Sequence, residues 1–193
     1  MVLVIEAKKI LIALIKIIIV LAAFAALAIA AVNYFFPMKY EDTIERCAKK
    51  YGLEESLVYA VINTESHFEE EAVSGKNACG LMQIMKPTAE WIAVKRGMTD
   101  YDENDLYDPD TNIELGCWYL SYLIKRYDND MTLVIAAYNA GEGNVTKWLY
   151  DTNYSGNGHD LDNIPFKETE EYVERVNFNK KVYEKLIELR RKK

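Results

Sequence analysis

The stretch "VINTESHFEE", Val61 to Glu70, sets a carboxylate, Glu65, on the apolar side of a helix that is about to end. Glu65 lies four residues after Val61, three after Ile62 and three before Phe68, so helical spacing puts it among apolar neighbours. A helix C-terminus carries a partial negative charge, and an apolar surround disfavours ionisation. Both push a carboxyl pKa upward, toward the range in which a general acid works near neutral pH. Two readings of Glu65 stand open on spacing alone: a last-turn glutamate that turns to water, or a proton donor.

Working outward, the helix of Glu65 begins near Glu54 and repeats Leu57, Val58, Val61 and Ile62 at helical spacing. Before it, "EDTIERCAKKYG" (41–52) reads as a helix with acids early, Lys49 and Lys50 late, and Gly52 as terminator. After it, "VSGKNACGLMQIM" (73–85) breaks the period at Gly75, Asn77 and Gly80 and reads as a loop or short hairpin. Pro87 suits the first turn of a helix running to Gly97, and "DENDLYDPD" (102–110) is polar and turn-rich. A long helix after Pro109 carries Ile113, Cys117, Leu120 and Ile124 on one stripe, and Asp130 can cap "MTLVIAAYNAG" (131–141). A short helix follows from Val145 to Leu149, and a last one from about Lys167 presents Tyr172, Val176, Phe178, Val182 and Leu186.

The 193 residues allow one ordinary domain and an appendage. From Ile10 to Val32 the chain is apolar apart from Lys16, and as a helix it would run about 34 Å, enough for a bilayer core. Lys8 and Lys9 precede it, while an aromatic and acidic segment follows, which orients the N-terminus inside and the rest outside. The expected division is a cytoplasmic tip and transmembrane signal-anchor over 1–37, then an all-α globular domain over 38–193. Cleavage of a signal peptide near Ala30, after the small-x-small pattern "AIA", is the alternative, against which the length of the apolar run argues.

Beyond Val32 the chain carries 20 basic and 29 acidic side chains, a net charge of −9, which is unlike a nucleic-acid binder. Cys47, Cys79 and Cys117 are too widely spaced for a metal knuckle and read as buried structural thiols. His67 and His159 are too isolated for a zinc site, so neither metal nor cofactor is expected. "NAGEGN" has a G-x-G but no lysine in the phosphate-loop position, and Gly141 and Gly143 read as helix punctuation. Trp118 and Trp148 lie in helical patterns and read as core.

Five separated motifs occur in one order: "ES" at 65–66, Ser74, "GLMQI" at 80–84, "AAYNAG" at 136–141 and "IPFKETEEYV" at 164–173. In these the chain resembles the Slt-type lytic transglycosylases, whose fold is shared with goose-type lysozymes, from about Thr43 to Val182. The resemblance implies a lysozyme-like domain acting on peptidoglycan glycan strands. It implies cleavage of the β-1,4 bond between N-acetylmuramic acid and N-acetylglucosamine, with Glu65 as general acid and then base and a 1,6-anhydromuramoyl end as product. It also implies substrate-binding roles for Ser74, Met82, Gln83, Tyr138, Asn139, Glu168 and Tyr172, with Met82 and Gln83 lining the groove. Cys79 departs from the usual small residue and is expected to bring a thiol beside the groove. Glu170 departs from a common basic residue and makes the neighbourhood of Glu168 more acidic. The rival readings are a hydrolytic muramidase on the same fold, and a non-catalytic wall-binding subunit of an envelope-spanning machine.

Overall fold

The computed structural model describes residues 2–192, with the backbone alone for residues 2–10 and Ala13. The Lys8 and Lys9 side chains, on which the expected orientation partly rests, lie outside the described residues. The chain divides into two compact units, Met1–Pro37 and Met38–Lys193.

The first unit is a single helix, α1 (Val2–Phe35). Its segment Leu14–Phe35, 22 residues with mean hydropathy 2.8, is long and apolar enough to cross a membrane. Large apolar side chains point outward all round it, as Ile18, Phe24 and Leu27 do. That is the pattern of a lipid-facing helix and not of an amphipathic one. The helix outlasts the apolar run, because Asn33, Tyr34 and Phe35 continue it and Phe36 N–H still reaches Val32 O at 2.8 Å.

The second unit is helical apart from one small hairpin. Its elements are α2 (Glu41–Tyr51), α3 (Glu55–Glu65), strands β1 (Ala78–Cys79) and β2 (Ile84–Met85), and α4 (Lys86–Arg96). A 3-10 turn (Glu103–Tyr107) precedes α5 (Pro109–Arg126), α6 (Met131–Ala140), α7 (Glu142–Leu149) and α8 (Lys167–Arg191). The core centres on α5, whose Ile113, Leu115, Cys117, Leu120 and Leu123 are wholly buried while α2, α4, α6 and the 3-10 turn pack around it. Asp108 caps α5 through Thr111 N–H at 2.8 Å, and Asp130 caps α6 through Leu133 N–H at 3.0 Å.

The long C-terminal helix α8 lies along α3 and α6 and closes the domain. Tyr59 of α3 stacks on Tyr183 of α8 with ring centroids 5.1 Å apart. On the opposite side Glu114 of α5 gathers Lys50 (2.6 Å), the Tyr51 hydroxyl (3.1 Å) and Arg96, tying α2 and α4 to the central helix. Burial alone would raise the Glu114 carboxyl, but these donors hold it below its ordinary range.

Two expectations need correction and one gains detail. The helix expected from Val145 starts at Glu142: Gly141 (φ 85) ends α6 and opens α7 at once, and the polar first turn "EGN" hides that start from a hydrophobic pattern. The turn-rich 102–110 segment holds a 3-10 turn, fixed by a capping box between Asp102 and Asp105. Trp118, expected in the core, is half-buried beside Trp91, whereas Trp148 is buried as expected. All three cysteines are buried free thiols.

Candidate active site

Glu65 is the last residue of α3, and the chain turns sharply behind it. His67 (φ 50) and Phe68 (φ 65) both take left-handed backbone, which stops the helix and drops Phe68 into the core between Tyr40 and Tyr59. Ser66 donates its hydroxyl to Leu81 O at 2.8 Å, pinning this helix end to the hairpin loop. The glutamate therefore has little room to swing.

The hairpin forms the facing wall. Ala78 pairs with Met85 and Cys79 with Ile84, and "GLMQ" joins the two strands. Gly80 takes φ +77, and a Cβ there would overlap Asn112 and Leu106 O, so only glycine fits. Asn112 holds the loop from beneath: its side chain accepts from Met82 N–H (2.8 Å) and donates to Cys79 O (3.0 Å) and Leu106 O (2.8 Å). Ser74 organises the approach to β1, its Oγ accepting from Ala78 N–H (3.0 Å) and Lys76 N–H (3.2 Å).

The remaining walls come from α6 and α8. Tyr138 donates its hydroxyl to Met82 O at 2.9 Å, and Asn139 Oδ1 accepts from Thr169 Oγ1 at 2.8 Å. Tyr172, behind the glutamate, donates to Glu65 Oε1 at 2.6 Å. Lys76 pairs with Glu168 at 3.4 Å, both largely exposed at the rim.

These elements enclose a groove of about 560 Å³ that includes Glu65, Ser74, Gln83, Tyr138, Asn139 and Glu168. A second depression of about 580 Å³ adjoins it and shares Glu65, Ser74 and Gln83, so the cleft passes across the carboxyl group. Such an open cleft suits a polymer that enters and leaves at both ends. Among the described residues no group of three or more His, Cys, Asp or Glu is arranged to hold a metal ion.

Burial drives the Glu65 carboxyl from its ordinary 4.5 up to about 7, against the lowering effect of the Tyr172 hydrogen bond and the Arg175 charge. Burial and the proximity of Glu65 raise the Tyr138 and Tyr172 phenols well above their usual range, so both remain neutral donors. The site thus presents one carboxylic acid, about half protonated at neutral pH, on the floor of a water-accessible groove.

Six of the eight residues expected at the site line this groove; Met82 and Tyr172 do not. Met82 was expected to line it, but its side chain is fully buried against Gly116 of α5, and its backbone carbonyl anchors Tyr138 instead. Tyr172 is buried and acts on the groove through Glu65. Gln83 lines the groove, yet its side-chain N–H group is spent on Ala72 O and Gly80 O, both at 2.9 Å, leaving its carbonyl for a ligand. The Cys79 thiol does not lie beside the groove, because adjacent strand residues face opposite ways and Ala78 takes the groove side. Sequence reading missed Asn112, Thr169 and Arg175; for Asn112 the one available signal is an asparagine set beside Ile113 of the apolar stripe.

Solved structures with a similar fold exist. An inactive glutamate-to-glutamine mutant of the lytic transglycosylase Slt from Pseudomonas aeruginosa aligns with TM-score 0.73 and 37% identity, over 81% of this chain and 26% of that one. A 70-kDa soluble lytic transglycosylase in complex with bulgecin A aligns with TM-score 0.70 and 31% identity, over 79% of this chain and 25% of that one. Fold and site define an all-α, lysozyme-like domain built around one glutamate. The chain belongs to the family described as the transglycosylase SLT domain, which it matches over residues 42–159.

Among curated relatives, the soluble lytic murein transglycosylase of Salmonella typhimurium is 35% identical over 145 residues, 73% of this chain and 22% of the relative. The membrane-bound lytic murein transglycosylase C of Edwardsiella ictaluri is 38% identical over 118 residues, 56% of this chain and 33% of the relative. The chain therefore spans between about a fifth and a third of the length of these relatives.

Proposed function

We propose that this chain is a membrane-anchored peptidoglycan lytic transglycosylase that cleaves the β-1,4 bond between N-acetylmuramic acid and N-acetylglucosamine. The observation that carries this reading is Glu65, a carboxyl raised to about 7 on the floor of an open groove. Protonated Glu65 gives its proton to the bridging oxygen as the C1–oxygen bond breaks. The resulting carboxylate then takes the proton of the muramoyl 6-hydroxyl as that oxygen bonds to C1, closing the 1,6-anhydro ring. Glu65 ends protonated again, no water is consumed, and the internal nucleophile is held close by the ring itself. The similar proteins named lytic murein transglycosylases, and the related Slt made inactive by one glutamate-to-glutamine change, support the assignment.

The other groove residues take holding roles in this scheme. Tyr172 fixes the orientation of Glu65, and Tyr138 stiffens the loop that faces it. The Ser74 hydroxyl keeps its proton free for a sugar oxygen, since its oxygen already accepts from the backbone. The Gln83 carbonyl, Asn139 and the rim carboxylate Glu168 offer polar contacts to acetamide and hydroxyl groups. The domain assignment follows: 38–193 is the catalytic domain on the wall side, and 1–37 the anchor with its N-terminus in the cytoplasm, supported by the basic residues before the apolar helix.

Mass spectrometry of digested peptidoglycan is the deciding experiment. Anhydromuramoyl products are expected; products one water heavier, with reducing muramic ends, would overturn the reading. One observation favours that hydrolytic outcome as a second reading: Glu168 is a further carboxylate in the groove and could activate water. Membrane fractionation with N-terminal sequencing tests the anchor, which fails if the mature chain starts near Ala31.

A further inference from the structure

The cleft continues past the groove onto an aromatic shelf. Thr88 and Tyr119, which wall the groove, also line a shallow pocket of about 320 Å³ completed by Pro87, Trp91 and Glu142. Trp91 stands one turn along α4 from Thr88, roughly 4.5 Å further along the helix axis.

On α5, Trp118, Tyr119 and Tyr122 form a ladder of near-parallel rings. Trp118 and Tyr122 lie 3° from coplanar directions with centroids 5.8 Å apart, and Tyr119 and Tyr122 lie 11° apart at 6.3 Å. Trp91 stands across all three, at 72° to Trp118, 84° to Tyr119 and 74° to Tyr122. Rings serving the core alone would be buried, as Trp148 is; all four of these are half-buried. Tyr119 also packs on Tyr138 at 5.5 Å, so the shelf is mechanically continuous with the groove wall.

Glu142 supplies the polar component. Its Oε2 is buried without a hydrogen-bond partner, and its charge adds to burial in raising the Tyr122 phenol. An acceptor so placed is a standing cost unless a ligand brings a donor. Because the terminal torsion of a glutamate is broad, a small rotation turns either oxygen toward the pocket. An aromatic platform with one acceptor at its edge matches a pyranose ring, which offers a C–H face to the ring and hydroxyl and amide donors at its rim.

We propose that the pocket of Trp91, Tyr119 and Glu142 is a distal subsite for an N-acetyl amino-sugar ring of the same β-1,4-linked glycan strand whose cleavage is assigned to Glu65. It rests on that functional reading and extends the binding track beyond the groove. Processing of long strands then gains an anchor that short fragments do not reach.

The test is calorimetric binding of β-1,4-linked N-acetylglucosamine oligomers, dimer to hexamer, to the full chain in detergent carrying Glu65→Gln to prevent turnover. Affinity is expected to rise with length, and adding Trp91→Ala should weaken the longest oligomers about tenfold while leaving the shortest unchanged. Trp91→Phe, which keeps a ring and spares the packing, should restore most of the loss, and Glu142→Gln should weaken the same long oligomers. In the active protein Trp91→Ala should raise KM on polymeric strands more than on short fragments. Length dependence unchanged by both Trp91→Ala and Glu142→Gln overturns the subsite alone. Failure to bind any oligomer overturns the parent reading with it.

Discussion

Tyr172 donates its phenolic hydroxyl to Glu65 Oε1 at 2.6 Å, joining positions 107 residues apart on α8 and α3. The bond works against the dominant effect on that carboxyl, since burial raises the Glu65 pKa and the Tyr172 donor lowers it. The carboxyl therefore rests near 7, where both protonation states are populated as an acid-then-base cycle requires. Burial without the tyrosine would keep the carboxyl protonated to higher pH but make it a weaker proton donor.

Tyr172→Phe should consequently push the Glu65 pKa further up, by about one unit for a lost hydrogen bond to a charged group. The alkaline limb of kcat/KM, set by loss of the Glu65 proton, should move to higher pH by the same amount while kcat falls. The ring is retained, so the packing of α8 on α3 survives. A pH–rate profile with an unmoved alkaline limb would show that Tyr172 does not tune the acid.

Glu65→Gln separates catalysis from stability. A carboxyl raised from 4.5 to about 7 in the folded state favours folding while protonated, and that advantage is lost as pH climbs through this window. Above pH 7 the ionised glutamate costs roughly 3 kcal/mol of stability, which the neutral glutamine avoids while still accepting from Tyr172. Urea denaturation at pH 8 should find the variant more stable than the wild type, with the difference vanishing at pH 4. Activity should fall by about 10²–10⁴-fold. Equal stabilities at pH 8 would contradict the buried acid.

The sequence makes the helical backbone legible because the caps and breakers are local: Asp130, Pro87 and Gly97 act within a turn of themselves. Glu65 is legible for the same reason, as its apolar neighbours stand three and four residues away. What surrounds Glu65 is not. The Tyr172 hydroxyl, Arg175 and the Thr169–Asn139 bond arrive from α8 by tertiary packing, with no local trace in α3. Met82 and Cys79 were misread for a different reason. A motif names neighbours along the chain, while the short strand and tight turn decide which side chains reach the groove, so Ala78 and Gln83 line it while Cys79 and Met82 are turned into the core.

Asn112 ought to be the structural residue on which the site depends most. It satisfies Met82 N–H, Cys79 O and Leu106 O at once from a position 1% exposed. Asn112→Ala leaves three buried backbone groups without their partner, at about 1–3 kcal/mol each where water cannot enter. A loss of about 3 kcal/mol or more in chemical denaturation is expected, together with a lowered kcat because the hairpin carries Gln83 and anchors Tyr138. A loss under about 1 kcal/mol would mean that the hairpin holds itself.

Gly116 and Met82 should couple with opposite signs to the usual pair of core deletions. A Cβ at Gly116 would overlap the Met82 side chain, so Gly116→Ala overpacks the interface between α5 and the hairpin and should cost about 1–3 kcal/mol. Met82→Ala alone opens a cavity beneath the loop and should cost about 2–5 kcal/mol. In the double variant the new methyl enters the space that methionine vacated, so Gly116→Ala should be neutral or stabilising in the Met82→Ala background. A double-mutant cycle by thermal and urea unfolding measures this directly, and additive losses would mean that the two side chains do not share that space. Activity should follow the same cycle, because Met82 O is the acceptor that orients Tyr138 over the groove.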